Sequence, residues 1–315
     1  MRTVLVLPLL LFCFLFLQIG NLSAKENGGI RSVAVTVSDL GNPYFIEIAK
    51  TIREHIRNEF GSTVTVTVKS NAYDDNRLKE QMKAFIEADK DLIVLVASDP
   101  FAIEPSIKEA QRAGIKVVAV DVNARGADVT VTTDNVQAGE LACQHVADRL
   151  NGSGNIAIIN GPPVSSVLER VAGCKSVLNN YPNLILLSDA INGDGSAEGG
   201  IKAMAKLLEI YPEIDAVFAI NDPTAAGAAA MVEQINKDDL FIVSVDGSPS
   251  AISAFSDENP VWVATAAQFP RQMAKEAILL GIDIVNQKSL NQSTVLIPSQ
   301  LITQGNLQSY RGWNQ

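Results

Sequence analysis

Acidic and amide side chains stand at the ends of apolar runs, and that placement is the strongest chemical signal in the chain. Ala216–Ile220 runs into Asn221-Asp222, Phe241–Val245 into Asp246-Gly247, Val117–Val120 into Asp121, and Leu92–Ala97 into Ser98-Asp99. Buried parallel strands read as continuous apolar runs. In open α/β sheets, ligands are held beyond the carboxyl ends of such strands. A carboxylate there accepts hydrogen bonds from paired hydroxyls, and an amide both donates and accepts. The expected chemistry is reversible hydrogen bonding in a polar pocket.

A second group lies in Ser38–Phe45 (SDLGNPYF), after a predicted strand over 32–37. Asn42-Pro43 suits a helix start, with Asn42 as N-cap and Pro43 in the first turn. That does not explain the consecutive aromatics Tyr44 and Phe45 at the open end of a strand. Aromatic faces can pack on the C–H face of a ring, and Arg offers a planar fork of donors. An aromatic wall ringed by Asp, Asn, Gln and Arg is a way to hold a neutral sugar.

Bond-breaking chemistry has no matching residues. His55 and His145 both fall inside predicted helices, and neither G-x-S-x-G nor H-E-x-x-H occurs. Gly193-x-Gly195 with Gly199 and Gly200 hints at a phosphate turn, but the spacing is not G-x-G-x-x-G. The acid further on, Asp215, starts a strand and could not reach a ribose. No Walker sequence is present, and no metal or other cofactor is expected.

The elements that must position these groups alternate along the chain. Strands are expected near 32–37, 63–68, 92–97, 116–120, 128–132, 155–159, 184–188, 215–220, 240–245 and 261–266. Helices are expected near 43–60, 75–88, 101–113, 135–150, 165–180, 197–210, 223–235, 248–257 and 270–286. This pattern predicts an α/β protein with parallel sheets flanked by helices. Two sheets of about five strands suit it better than one of ten. The pattern breaks near Thr130–Asn135 and restarts, with no Pro-rich or charged linker. Two touching, hinged lobes follow.

The chain has 315 residues, 47% hydrophobic and 19% charged, with a formal net charge of −10. That is globular composition, and its acidity lacks the electrostatic footprint of a nucleic-acid binder. Arg2 precedes the apolar stretch Val4–Leu17, and Leu22-Ser23-Ala24 follows. This reads as a secretory signal peptide, residues 1–24, cleaved near Ala24. Of three cysteines, Cys13 lies in that stretch. Cys143 and Cys174 fall in predicted helices. Buried packing is the plainer expectation for them, and a disulfide in an oxidising compartment is the alternative.

Several motifs occur in order: Gly41-Asn42-Pro43-Tyr44-Phe45, Asp121, Thr133-Asp134-Asn135, Glu169-Arg170, Ala219-Ile220-Asn221-Asp222, Val245-Asp246-Gly247 and Ala267-Gln268. In these the chain resembles the periplasmic sugar-binding proteins of ABC transporters, in particular the ribose/fructose-type branch, from about Val33 to Thr303. That branch shares its fold with the ligand cores of lactose-repressor-like regulators. The resemblance implies two Rossmann-like lobes joined by hinge crossings, the type I arrangement. The first lobe would comprise 30–133 plus 269–298, the second 134–268 plus 299–315.

It further implies that Asn42, Tyr44, Phe45 and Asp121 line the pocket from the first lobe. Arg170, Asn221 and Asp246 would line it from the second, with Gln268 near a crossing. Asp222 is expected to be structural, through the helix cap. The implied partners are a monosaccharide and an inner-membrane ABC permease, for a monomeric periplasmic protein. Two departures stand out. Ribose-binding members follow the aspartate with Arg, where this chain has Val122. They also carry a second-lobe aromatic near 194–195, where it has Asp194-Gly195. Both favour a fructose-type or related ligand over ribose. An exported enzyme would need the missing nucleophile elbow. A transcription regulator would need a helix-turn-helix where the apolar leader stands. A sensory binding protein, reporting a sugar, polyol or furanose-like signal to a chemoreceptor or kinase, is the remaining alternative.

Overall fold

Two sheets organise the chain in a computed structural model that describes residues 29–237, 239–257 and 260–314. The expected signal peptide lies outside the described residues. Strands β1 (Ser32–Val37), β2 (Thr65–Ser70), β3 (Leu92–Leu95), β4 (Lys116–Val120) and β5 (Val129–Thr133) build the first sheet. Strands β6 (Ser153–Asn160), β7 (Asn183–Asn192), β8 (Ala216–Ala219), β9 (Phe241–Asp246) and β10 (Trp262–Ala267) build the second. The late strands β11 (Thr294–Ile297) and β12 (Gln300–Thr303) add one edge to each. The orders are β11-β5-β4-β3-β1-β2 and β12-β10-β9-β8-β6-β7. All pairings are parallel except β12 on β10.

Ten strands were expected, and β11 and β12 are the difference. Each is four residues long and carries exposed positions, so neither shows the apolar run that marks a central strand. Their edge positions explain why: one side is solvent, and the sequence needs no continuous hydrophobicity.

Helices cover the sheets because each strand must return to the same edge to run parallel. In the first lobe these are α1 (Pro43–Phe60), α2 (Asp75–Glu87) and α3 (Glu104–Arg112). In the second they are α4 (Asn135–Arg149), α5 (Ser165–Leu178), α6 (Ala197–Ile210), α7 (Asp222–Gln234) and α8 (Pro249–Ala254). The last helix, α9 (Pro270–Val285), follows the second sheet in sequence yet packs on β3, β4, β5 and α1. The chain therefore passes between lobes three times: β5 to α4, β10 to α9, and β11 to β12. Central strand residues such as Val33, Val35, Ile158 and Val243 are fully buried.

The second lobe has unusually close helix pairs. A Cβ at Gly139 of α4 would collide with the Arg170 carbonyl of α5, and one at Gly173 of α5 with the Val136 carbonyl of α4. Cys143 and Cys174 join these same helices in a disulfide, with Cα atoms 5.0 Å apart. The plainer expectation of unpaired packing cysteines is therefore replaced by the alternative. The glycines bring the helices close enough for the bond. Gly199, Gly200 and Gly227 play a like part between α6 and its neighbours, against Gly193, Thr224 and Ala197. Gly193, Gly199 and Gly200, three of the four glycines that hinted at a phosphate turn, serve close packing.

Candidate ligand-binding site

Strand order reverses at β1/β3 in the first sheet and at β6/β8 in the second. Loops beyond the carboxyl ends of strands at such points diverge and leave a crevice. The two crevices face each other and form one cleft with about 500 Å³ of empty space, its open mouth included. All eight expected residues, Asn42, Tyr44, Phe45, Asp121, Arg170, Asn221, Asp246 and Gln268, line it.

On the first-lobe side, Asn42 caps α1, its Oδ1 accepting from the Tyr44 amide (3.0 Å). The cap aims Tyr44 and Phe45 inward, and their rings meet edge to face at 5.3 Å. Tyr44 is more than an aromatic face. Its hydroxyl donates to Asp121 Oδ1 (2.9 Å) and lies 3.3 Å from Gln268 Oε1. Asp121 sits just past β4 with φ +69, a left-handed conformation rare outside glycine. The Thr132 hydroxyl steadies it by donating to the Asp121 carbonyl (2.6 Å).

On the second-lobe side, Arg170 is buried on α5. Its Nε donates to Asn135 Oδ1 (2.9 Å) and its Nη1 to the Ile220 carbonyl (2.9 Å). Nη1 also lies 3.7 Å from Asp246 Oδ1, an ion pair without a direct hydrogen bond. Arg170 is therefore a central cation, buried between elements. Asp246 ends β9 with φ +142. Its Oδ1 accepts from Gln268 Nε2 (2.7 Å) and its Oδ2 from the Asp222 amide (3.3 Å). Gln268 Oε1 in turn accepts from Thr133 (2.7 Å) on the β5 crossing.

Asn221, not Asp222, is the N-cap of α7: its Oδ1 accepts from the Thr224 amide (3.0 Å), while its Nδ2 donates to the Gly195 carbonyl (3.0 Å). Asp222 is structural by another route. It is fully buried and accepts from the Ser244 hydroxyl (2.6 Å), the Thr265 hydroxyl (2.7 Å) and the Ser248 amide (2.7 Å). Three donors hold its carboxylate beneath the pocket floor.

Burial dominates the electrostatics. It lifts Asp121 above the usual carboxylate range, against the pull of Arg170 and the Tyr44 hydrogen bond. Burial lifts Asp246 further, with Asp222 adding like-charge repulsion and Arg170 opposing. Asp222 is raised too, by burial, against its three donors. Burial, then Asp121, pushes the Tyr44 phenol well above its ordinary value, so it remains a donor.

Ser38, Tyr73, Val122, Pro162, Val164, Ser166, Val167, Gly195 and Ile220 complete the lining. Val122 and Gly195 are the departures noted in the sequence. Ser38 was named there only as the start of the Ser38–Phe45 stretch and Tyr73 not at all, although both follow strand ends, which is the signal that found Asp121. Pro162, Val164 and Ile220 carry no hydrogen-bonding side chain and gave no such signal. Asn123, shortly after β4, bonds across to the second lobe. Its amide donates to the Ser165 hydroxyl (2.9 Å), and its Nδ2 is 3.4 Å from Glu169 Oε1.

A model described as a periplasmic binding protein domain matches residues 33–289. The chain belongs to that family. It is 28% identical over 307 residues to the ribose import binding protein of Bacillus subtilis, covering 96% of this chain and 97% of that one. Among solved structures, an ABC transporter solute-binding protein from Bacillus halodurans with bound myo-inositol superposes with TM-score 0.81 at 23% identity, over 90% of this chain and 97% of that one. The fructose-binding periplasmic domain of a hybrid two-component system gives 0.80 at 23% identity, over 88% and 92%. At these identities the structural likeness establishes the fold, two α/β lobes of the periplasmic binding type.

Proposed function

We propose that this protein is an extracytoplasmic solute-binding protein that captures a monosaccharide between its lobes and delivers it to an ABC permease. The observation that carries the reading is the convergence of Asp121, Arg170 and Asp246 from both lobes on one cleft walled by Tyr44 and Phe45. A sugar presents hydroxyls that donate and accept around a ring with apolar faces, which matches that mixture of groups. On this reading the first lobe is 30–133 plus 269–298 and the second 134–268 plus 299–315. Asn42, Tyr44, Phe45 and Asp121 contact the ligand from one, Arg170, Asn221 and Asp246 from the other, and Gln268 from between. A ligand favours the closed state only through contacts it makes there and not in the open state. Residues on both lobes meet that condition. No cofactor takes part, and the mature protein acts outside the cytoplasmic membrane as a monomer.

Val122 and Gly195 favour a fructose-like ligand or a related polyol over ribose. Val122 supplies no donor to a hydroxyl. Gly195, at φ +66, brings no aromatic to the cleft, and a Cβ there would already meet Asn221 Nδ2 (3.4 Å) and Pro162 (3.7 Å). A sensory role is the second reading, favoured by the likeness to the fructose-binding domain of a two-component system.

A thermal-shift screen of residues 25–315, stripped of carried-over ligand by unfolding and refolding, tests the proposal. The panel holds ribose, fructose, xylose, arabinose, glucose, galactose, allose and myo-inositol. A binder at 100 times its dissociation constant adds about 2.7 kcal/mol of stability. No shift across the panel rejects the sugar reading. Uptake lost on deleting the cognate permease supports transport, and loss of signalling alone supports the sensor.

A further inference from the structure

The C-terminal segment lies against the binding site from behind. After β12 the chain turns through a short 3-10 helix at Gln304–Ser309 and ends near Trp313. Trp313 is 8% exposed. Its indole Nε1 donates to the main-chain carbonyl of Asp246 (2.8 Å). Its ring meets the Tyr44 ring edge to face, with centroids 5.8 Å apart. Asp246 belongs to the second lobe and Tyr44 to the first. The Tyr310 hydroxyl donates to the next carbonyl, that of Gly247 (2.8 Å).

Two consecutive carbonyls are thus held by two side chains of the same segment. They belong to a turn in which Gly247 takes the left-handed φ of +68 that glycine allows, while Asp246, at φ +142, is in backbone sparsely populated for any residue with a side chain. Such a conformation at Asp246 persists only where surrounding contacts over-determine it. A Cβ at Gly247 would collide with Tyr310 Oη and with Ala267, so the glycine and the tail fit one another. A tail with only a packing role would not place a donor on each carbonyl of the turn that carries the pocket carboxylate. The Asp246 carbonyl also accepts from the Gln268 amide (3.0 Å). The indole and that amide together orient the peptide plane.

We infer that Trp313 is a positioning residue of the binding site. It fixes Asp246 from behind and, through Tyr44, ties the first lobe to the second beside the three covalent crossings. It touches no ligand. It acts on the direction of the Asp246 carboxylate and on how readily the lobes approach. The affinity part of this inference rests on the sugar-clamp reading; the tie between lobes does not.

The test uses residues 25–315 with Trp313→Phe, which keeps a ring beside Tyr44 and removes the donor, and Trp313→Ala, which removes both. Probes are D-ribose, D-allose, D-fructose and myo-inositol by calorimetry. On whichever probe the parent protein binds, Trp313→Phe weakens affinity about tenfold and Trp313→Ala further, the loss expected for one well-placed donor. Small-angle scattering of the sugar-free protein reports the tie. Trp313→Ala raises the radius of gyration while the melting curve stays cooperative. The chain has two tryptophans, so Trp262→Phe isolates the emission of Trp313, which shifts when the probe binds. If that variant fails to fold, the parent-minus-Trp313→Phe difference spectrum reads the same indole. Affinity within twofold of the parent in both variants, together with unchanged scattering, overturns the inference. If the parent binds none of the four probes, calorimetry uses whichever sugar of the thermal-shift panel binds, and scattering decides for or against the tie independently of any sugar.

Discussion

Asp121 and Asp246 occupy matching places, one in each lobe, yet their surroundings differ. Each ends an apolar strand beside Arg170 and sits at positive φ. In the first lobe, one tyrosine hydroxyl on Asp121 Oδ1 is the side-chain partner. In the second, Gln268, the Asp222 amide and the tail converge on Asp246, above a hydroxyl-bound Asp222. The second lobe also carries the disulfide and the glycine-closed helix pair beneath Arg170, four residues from Cys174. In the proposed clamp the ligand binds one lobe, and hinge closure brings the other lobe's groups onto it. The lesson is that the second lobe holds its charges in a braced frame, while the first offers rings and a single carboxylate.

The comparison can be broken at its strongest point first. Asp246→Ala removes a buried acceptor that Gln268 already donates to and that the proposed function assigns to ligand hydroxyls, and affinity should fall by about 100-fold or more in calorimetry. Asp121→Ala should lose less. Equal losses would put the two lobes on the same footing. Arg170→Ala should lose binding and also stability, by about 3 kcal/mol or more in urea titration. It leaves two buried carboxylates without their cation and the Ile220 carbonyl without its donor. An intact melting midpoint would remove Arg170 from the frame.

Replacing both Cys143 and Cys174 by Ser should cost about 4 kcal/mol, the loop-closure effect for a separation of 31 residues. Affinity should change less than stability, and the reverse would make the disulfide part of the site. Tyr44→Phe should weaken binding no more than about tenfold, since the ring stays and only the hydroxyl's contacts with Asp121 and Gln268 are lost.

A separate effect is in pH. The folded-state pKa of Asp246 is raised, so the protonated form is favoured in the fold. The stabilisation is complete below the unfolded carboxylate value of about 4 and is lost as pH rises through the folded value. The sugar-free protein should therefore lose part of its stability above about pH 4. Asp246→Asn should flatten that slope, and an unchanged slope would assign it to other groups.

Much of this was legible in the residues, for stated reasons. The runs Val117–Val120 and Phe241–Val245 are apolar throughout because both faces of a parallel strand are covered. Asp121 and Asp246 at their ends were therefore visible without coordinates. Asn42-Pro43 marked the start of α1, and that cap turns Tyr44 inward. The edge strands β11 and β12 were not legible, because an edge needs no apolar run. Ser38 and Tyr73 follow strand ends but carry no charge to draw notice. Asp222 looked like a cap residue, and its actual partners, Ser244, Ser248 and Thr265, are 22 to 43 positions away.

By itself the sequence determined the alternation of strands and helices, the polar residues at strand ends and the family. These are properties of short windows, where periodicity and caps act over a few residues. Tertiary structure alone decided that Cys143 meets Cys174, that Arg170 is buried beside Asp246, and that Trp313 reaches the back of the site. Those contacts span from 31 to 76 positions and arise only when separate elements pack. No local rule encodes a distance between residues that the chain itself keeps far apart.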